Sequence, residues 1–244
     1  MSGDKARPEP APRIKRFYQR AEAAPLEGGF GVLLDGRPAR TPLKTQLTVP
    51  HEVLGAELAG EWQAQDPDIE TPTMPLTRLA NTAIDGVARE RDGVIESMAA
   101  YAGSDLICYR ASAPEGLVSR QAECWDPIVR WAEKATATRL TLTAGLVAVE
   151  QSPDLIPAIA RLIADHDDLA LAALAMTTTM SGSVLMALAL SRRAINADAA
   201  WAAAHVDEDW QISQWGEDAE AARRRAGLYR DFLAAARVLD LCRA

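Results

Sequence analysis

The N-terminal part of the chain shows the short apolar runs and turn signals that are typical of a small β-sheet. Phe30–Leu34 and Arg37–Thr41 flank the dipeptide Asp35-Gly36. Asp-Gly between two short runs predicts a two-residue hairpin, because both turn positions need a positive φ. Arg16–Ala23 alternates loosely between polar and apolar positions, and Gln46–Val49 indicates one more strand.

The spacing of apolar residues becomes helical after Pro50. Leu54, Leu58 and Trp62 follow each other at intervals of four, which places them on one face of a helix that runs to about Gln65. Trp62 ends this stripe just before a proline-rich stretch. We therefore expect the Trp62 side chain to be structural and to pack two domains together.

Three prolines, Pro67, Pro72 and Pro75, mark the expected boundary between those domains. The pattern before them is β-rich and the pattern after them is helical. We expect an α+β protein with a small N-terminal α/β layer domain, which contains the hairpin, and a larger all-helical bundle. The expected ranges are a disordered tail at 1–13, the β-rich domain at 14–72 and the helical domain at 73–244.

The helical part contains several amphipathic stripes with identifiable ends. Ser152-Pro153 is expected to supply the N-cap and first position of one helix. Asp126-Pro127 indicates a kink or a fresh start in another. Asn196 is expected to cap an alanine-rich helix that reaches about Gly216. A last helix is expected from Glu217 to Leu241, with Glu220 able to pair with Arg224.

The segment from Leu169 to Ser191 carries no charged residue and could suggest a membrane span. Its middle, Thr177–Ser183, is rich in hydroxyl groups and glycine, which are costly at bilayer depth. We therefore expect two buried helices that separate near Thr178 to Ser181, and no membrane insertion.

Composition narrows the classes of partner. The formal net charge of -8 disfavours nucleic acid and anionic lipid surfaces. The cysteines, Cys108, Cys124 and Cys242, are odd in number, lie far apart and form no CxxC pair. They are expected to be free thiols in a reducing compartment, and the charged, proline-rich start is not a signal peptide, so we expect a cytoplasmic protein.

Candidate chemistry is sparse. The sequence has no phosphate-binding loop and no nucleophile elbow. His166 lies among aspartates that could form a metal loop, although Asp167 or Asp168 could equally be an N-cap. His205 and Glu208 lie three residues apart and would share a helix face, either as a structural contact or as an acid–base pair. We expect no metal, no cofactor and no enzyme; the alternative is a small-molecule enzyme that uses His205 and Glu208 in an interdomain cleft, and a structural subunit of a larger assembly is a third possibility.

Ten short strings, spread in order over nearly the whole chain, resemble one protein family. They are Arg16-Phe17-Tyr18, Leu34-Asp35-Gly36-Arg37, Arg40-Thr41-Pro42, Glu61-Trp62, Met74-Pro75-Leu76-Thr77, Thr82-Ala83-Ile84-Asp85, Tyr109-Arg110, Trp125-Asp126-Pro127, Asp207-Glu208-Asp209-Trp210-Gln211 and Trp215-Gly216. Each string is weak alone, and together they are specific. They resemble the assembly chaperones of the F1 head of ATP synthase, in particular the factor for the α subunit. The family often has a longer glutamate run where this chain has Asp-Glu-Asp, and a tyrosine or phenylalanine at the position of Trp210.

The resemblance implies a client and a mode of action. An unassembled F1 α subunit exposes the apolar surface meant for its β neighbours, and such surfaces aggregate. A chaperone of this family would cover that surface until β arrives. Eukaryotic members are mitochondrial, and a chain without a transit segment indicates a bacterial relative.

The expected partner-binding residues lie near one helix. With a continuous helix, Trp201, His205, Glu208, Ile212 and Trp215 would form one stripe, so Glu208 would be a carboxylate on an aromatic and apolar face. Such a carboxylate is either paired inside the bundle or accessible in a groove that meets the client. The expected partner-binding residues are Glu208, Asp207, Gln211, Trp215 and Trp210.

Overall fold

The computed structural model, which describes residues 14–145 and 148–242, begins with a small antiparallel sheet. β1 (Ile14–Lys15) precedes this sheet and is not part of it; the four strands of the sheet, in chain order, are β2 (Ala21–Leu26), β3 (Gly29–Leu34), β4 (Arg37–Pro38) and β5 (Thr48–Val49). β3 is central and pairs with β2, β4 and β5. The β3–β4 hairpin turns at Asp35 and Gly36, whose φ values are 48° and 79°, as the Asp-Gly signal predicted. The tail expected at 1–13 lies outside the described residues.

The first helix, α1 (Glu52–Gln63), packs on β2 and β3. Leu54 and Leu58, on the predicted stripe, are each only 1% exposed. Gly55 lets the helix approach the sheet closely, because a Cβ at this position would lie 2.8 Å from the Cβ of Phe30. After α1 the chain forms β6 (Asp68–Ile69), which pairs with β1.

Helices dominate the rest of the described chain, which also contains loops, short 3₁₀ turns and the two-residue strands β7 (Tyr109–Arg110) and β8 (Thr143–Ala144). They are α2 (Pro75–Asp85), α3 (Arg91–Ala100), α4 (Glu115–Thr136), α5 (Leu155–Ala164), α6 (Asp168–Ser181), α7 (Val184–Ser191), α8 (Ala197–Ala204), α9 (Val206–Trp215) and α10 (Ala219–Leu241). A small sheet region followed by a helical region confirms the expected α+β class. The domain ranges 14–72 and 73–244 stay a prediction.

Polar side chains connect the sheet region to α2 at both ends of that helix. Glu61, in α1, accepts hydrogen bonds from the backbone N–H of Leu76 (2.7 Å) and of Thr77 (2.8 Å), in the first turn of α2. Asp85, at the other end, accepts from the Thr41 hydroxyl (2.7 Å) and the Leu43 N–H (2.9 Å). Both carboxylates satisfy donors that would otherwise lack a partner, so they fix α2 against the sheet region.

The uncharged segment forms the centre of the helical part, as α6 and α7. The Asp167 carboxylate caps α6 by accepting from the Ala170 N–H (2.7 Å), and the Ser183 hydroxyl caps α7 by accepting from the Met186 N–H (3.0 Å). The helices separate at Gly182, in the left-handed region at φ 69°. Among the described helices, none combines the length and the apolar character that a bilayer crossing needs.

Two expected helix features are wrong in detail. Ser152-Pro153 does not start α5; the helix begins at Leu155, and its N-cap residue is Asp154. A turn precedes the helix, in which the Leu155 N–H donates to the Ser152 carbonyl (3.0 Å). Pro153 therefore lies in this turn and not at the first helical position. Pro127 lies inside α4 without ending it, so the fresh start is wrong and the kink stays a prediction; the residues on both sides, Trp125 and Ile128, are buried in the core.

Candidate functional site

The predicted alanine-rich helix is broken at His205, and this break shapes the candidate site. His205 has φ -115° and ψ 16°, which lie outside the helical region, so α8 ends there and α9 starts at Val206. The His205 ring lies against Trp201, with the centroids 3.8 Å apart, and its Nδ1 is 2.9 Å from the Trp201 carbonyl. The single continuous helix from Asn196 to Gly216 is therefore wrong.

The break also corrects the five-residue stripe. Trp201 belongs to α8 and packs against α10, with its ring 4.9 Å from Tyr229 and 5.4 Å from Phe232. Trp215, at the end of α9, is 80% exposed. The five residues do not form one continuous stripe, because the helix is interrupted at His205 and the two tryptophans have different surroundings.

The inner side of α9 is seated on α4 by Trp210. The Trp210 ring occupies the space over Gly116, where an added Cβ would lie 2.6 Å from the ring. The guanidinium carbon of Arg120 lies 4.9 Å from the centroid of the same ring. Trp210 thus points away from the solvent-facing side of α9, and its contacts fix the position of the helix.

Asp207 and Asp209 also have partners inside the molecule. Asp207 accepts a hydrogen bond of 2.7 Å from the side-chain amide of Gln121, which is itself 2% exposed. Asp209 forms an ion pair of 2.5 Å with Arg225 of α10. These contacts tie α9 to α4 on one side and to α10 on the other.

Glu208 faces an open pocket of about 290 Å³ between α9 and the start of α10. Its lining consists of Glu208, Gln211, Ile212, Trp215, Gly216, Glu217, Asp218, Ala221, Ala222 and Arg225. Glu208 is exposed, and within the described residues it forms neither an ion pair nor a side-chain hydrogen bond. The geometry is that of an accessible carboxylate beside a large exposed ring, and a buried internal pair is not observed.

The pocket, which we call the α9 pocket, is acidic. Glu208 and Glu217 are exposed, Asp218 accepts from the N–H groups that start α10, and Arg225 is paired with Asp209. An acidic rim around an apolar ring favours a partner that offers basic groups beside an apolar surface. The assignment of Glu208, Asp207, Gln211, Trp215 and Trp210 to partner binding stays a prediction, and Trp210 and Asp207 already have structural contacts.

The remaining sequence candidates have structural surroundings. The buried His166 ring lies 3.1 Å from the Ile163 carbonyl, and burial lowers the pKa of His166. Its neighbours Asp165 and Asp168 pair with Arg192 and Arg91 at 2.8 and 2.6 Å. No cluster of potential metal ligands occurs within residues 14–145 and 148–242.

Trp62 lies on the sheet side of α1. Its ring is tilted against Tyr18, with the centroids 5.8 Å apart, and the Trp62 carbonyl accepts the Tyr18 hydroxyl at 2.6 Å. Trp62 also lines a cavity of about 570 Å³ together with sheet residues such as Phe17 and Arg37. Glu61, its neighbour, makes a direct link from α1 to α2. The expectation that Trp62 packs the two domains together stays a prediction.

Sequence reasoning did not identify Gly116, Arg120, Gln121 and Arg225, which position α9. Arg225 could have been suspected from its place in a run of arginines, and Gly116 from being a glycine inside a helical segment, which often marks a close approach. Gln121 carried no signal, since a polar residue within an amphipathic helix is normally solvated.

Comparisons with known proteins agree on one family. The profile of the ATP12 chaperone protein family matches residues 15–133. The chain is 40% identical to Atp12 from Paracoccus denitrificans, whose crystal structure it matches with a TM-score of 0.85 over 94% of this chain and 99% of that one. It is 41% identical to the Atu1473 protein from Agrobacterium tumefaciens, with a TM-score of 0.88 over 96% and 92% of the two chains. It is also 22% identical to the mitochondrial protein atp12 of Schizosaccharomyces pombe, over 96% of this chain and 85% of the relative.

Proposed function

The chain belongs to the ATP12 chaperone family, whose members serve ATP synthase assembly, and from this premise we propose that it binds the unassembled α subunit of the F1 head. The proposal names the client more finely than the family does. It also places the contact at the α9 pocket. Because relatives of similar sequence come from two bacteria, Paracoccus denitrificans and Agrobacterium tumefaciens, we extend the proposal to a bacterial cytoplasmic chaperone.

One observation carries the choice of surface: Trp215 is 80% exposed at the edge of an acidic pocket. Moving an exposed indole from water into a protein contact lowers the free energy. Tryptophans at accessible positions are therefore frequent anchors of protein interfaces. Glu208, beside it, adds a charge that selects a basic or donor group on the partner. Together they support a contact in which an apolar surface is buried and a basic group on the partner is preferred.

Release follows from competition for the same client surface. The chaperone covers apolar area on the α subunit that the assembled head buries against β. Binding of β therefore removes the chaperone's target by mass action, and release needs no nucleotide hydrolysis by this chain. The His205–Glu208 alternative gains no support from the geometry, since His205 lies against Trp201 and Glu208 faces the open pocket.

The test measures binding of the isolated α subunit and of the assembled F1 head to the immobilised full chain. Wild type should bind the isolated subunit and leave the assembled head unbound. Glu208→Lys and Trp215→Ala should each weaken binding of the α subunit by roughly tenfold or more, which corresponds to about 1.4 kcal/mol. Both residues are exposed, so the melting temperature should not change.

Glu96→Lys is the matched control for Glu208→Lys. Glu96 is exposed on α3, lines no part of the α9 pocket, and its replacement changes the net charge by the same amount. Its binding should stay within about twofold of wild type. Equal binding of the isolated subunit and the assembled head by wild type would refute the proposal.

A further inference from the structure

A second groove lies away from the α9 pocket, between α2, α6 and the loop that carries Pro42. It encloses about 680 Å³, within the range of sites that hold a few side chains of a ligand. Its lining is mostly apolar and consists of Pro42, Thr71, Arg78, Leu79, Asn81, Thr82, Ala172, Ala175, Met176, Thr179 and Met180. We call this the α2–α6 groove.

Methionines give the α2–α6 groove an adaptable wall. Met176 and Met180 lie one helical turn apart on α6, and both are half-buried. Methionine side chains are unbranched and polarisable, so they fit apolar groups of different shapes. The wall is therefore suited to an apolar side chain and does not select one shape strictly.

One end of the groove is basic. Thr71 and Arg78 also line an adjoining depression of about 310 Å³, which α10 completes with Arg224, Gly227, Leu228, Arg230 and Asp231. Asp231 is neutralised by an ion pair of 2.6 Å with Arg78. Arg224 and Arg230 are exposed, and within the described residues neither has an ion pair or a side-chain hydrogen bond. The predicted pair of Glu220 with Arg224 is not formed.

This positive end contrasts with the whole chain, whose formal net charge is -8. Three arginines against one aspartate give this depression a local excess of positive charge. Leu228, in the same depression, is 43% exposed, which continues the apolar lining into the basic end. The occupant that complements both parts carries an apolar side chain followed by a carboxylate.

The junction of the two parts also has unused hydrogen-bonding capacity. Asn81 Oδ1 and Arg78 Nε are buried and have no hydrogen-bond partner among the described residues. One is an acceptor and the other a donor, three residues apart on α2. Leaving such groups unpaired costs free energy, and a peptide backbone, which carries both a donor and an acceptor, could satisfy them after a small rotation of the side chains.

We propose that the α2–α6 groove binds an extended segment of a client polypeptide in which an apolar residue is followed by aspartate or glutamate. The apolar side chain contacts Met176 and Met180, and the carboxylate pairs with Arg224 and Arg230. This inference rests on the proposed chaperone function. It adds a second client contact, which prefers acidic groups, to the α9 pocket, which prefers basic groups. A client is then held firmly only if it offers a basic and an acidic surface at matching positions.

The test uses three fluorescein-labelled synthetic peptides and the full chain. The first has the sequence Gly-Leu-Ser-Leu-Gly-Glu-Glu-Gly, the second replaces both glutamates with lysine, and the third replaces both leucines with serine. Fluorescence anisotropy should show binding of the first peptide that is roughly tenfold or more tighter than that of either other peptide. Raising the salt concentration should weaken it, because its carboxylates pair with exposed arginines.

Variants of exposed residues test where on the protein the peptide binds. Arg224→Glu and Arg230→Glu should each weaken the acidic peptide several-fold and strengthen the lysine peptide. Arg223→Glu is the matched control, since Arg223 is exposed on the same helix, lines neither part of the groove and changes the charge equally. Thr179→Glu places a carboxylate at the apolar part and should weaken the acidic peptide without changing the melting temperature, since Thr179 is exposed.

A parallel measurement of binding to the isolated α subunit tests the proposed function separately from this inference. Equal binding of all three peptides to wild type would overturn the groove proposal while α-subunit binding upheld the function. Selective binding of the acidic peptide without binding of the α subunit would support the groove proposal and refute the proposal that the α subunit is the client. Self-association of wild type in sedimentation, abolished by Thr179→Glu, would assign the groove to a second copy of the chain and overturn the proposal.

Discussion

Glu61 is the residue whose removal should most directly uncouple the sheet region from the helices. Its carboxylate accepts three hydrogen bonds at the start of α2, from the N–H groups of Leu76 and Thr77 and from the Thr77 hydroxyl, at 2.7, 2.8 and 2.8 Å. Thr77 is 2% exposed, so water cannot easily replace the lost acceptor there. Glu61→Ala therefore leaves donors unsatisfied at a helix N-terminus.

The magnitude follows from the donors left behind. Losing a helix N-cap costs about 1 kcal/mol, and a buried donor without a partner costs roughly 1–3 kcal/mol. Burial raises the pKa of Glu61, which shows that holding the charge there has its own cost and reduces the net loss. We expect Glu61→Ala to lower the free energy of unfolding by about 3 kcal/mol, or roughly 6–12 °C in melting temperature for a chain of this size.

Thermal and urea unfolding followed by circular dichroism measure this effect. Glu61→Gln keeps one acceptor oxygen and should fall between wild type and Glu61→Ala. Glu57→Ala is the control on the same helix, since Glu57 only forms a surface ion pair with Arg237 at 2.8 Å and should cost less than about 1 kcal/mol. A loss in Glu61→Ala no larger than in Glu57→Ala would refute the reasoning.

Further predictions concern single positions. Gly55→Ala should lower the free energy of unfolding by about 1–3 kcal/mol, because the new Cβ would lie 2.8 Å from Phe30. Gly60→Ala, on the same helix with nothing within 4 Å, should raise it by roughly 0.5–1 kcal/mol. A change of the same sign in both variants, measured by thermal unfolding, would contradict the packing argument. Burial raises the pKa of Asp105 from 3.8 to about 6, so its contribution is present below the unfolded-state pKa and is lost as the pH rises through 6. Wild type should lose roughly 2 kcal/mol relative to Asp105→Asn between pH 4 and 7 in urea titrations, and a pH-independent difference would exclude this role. Trp62→Ala should lower stability by about 2 kcal/mol, less than a fully buried tryptophan, because Trp62 is half-buried; unchanged melting with lost client binding would instead place Trp62 in the interface.

Local signals predicted the elements whose ends are set by local chemistry. The Asp35-Gly36 hairpin follows from the φ requirement of the turn, and the α1 stripe of Leu54 and Leu58 follows from helical spacing. The break at His205 could not be predicted in the same way, because it lies in an alanine-rich segment without proline or glycine. The two sides of the break are held by contacts with elements distant in sequence, Trp201 on α10 and Trp210 on α4, which local patterns do not contain.

The candidate site shows the same division. Glu208 could be singled out because a carboxylate near aromatic residues needs an explanation, and the structure places it beside Trp215 in an open pocket. The α2–α6 groove left no trace in the sequence, because α2, α6 and α10 are far apart along the chain. Arg78 and Arg224 become neighbours only when the bundle has formed.

The hydroxyl-rich break between α6 and α7 also matters before the chain has folded. During synthesis, the stretch from Leu169 to Ser191 is uncharged and long enough to cross a bilayer if it were one helix. Thr177, Ser181 and Ser183 lower its affinity for the bilayer, and in the folded core their hydroxyls bond to backbone carbonyls or an N–H nearby. The same groups therefore make the unfolded stretch more costly to insert into a bilayer, and their hydrogen bonds let them be buried in the folded core at little cost.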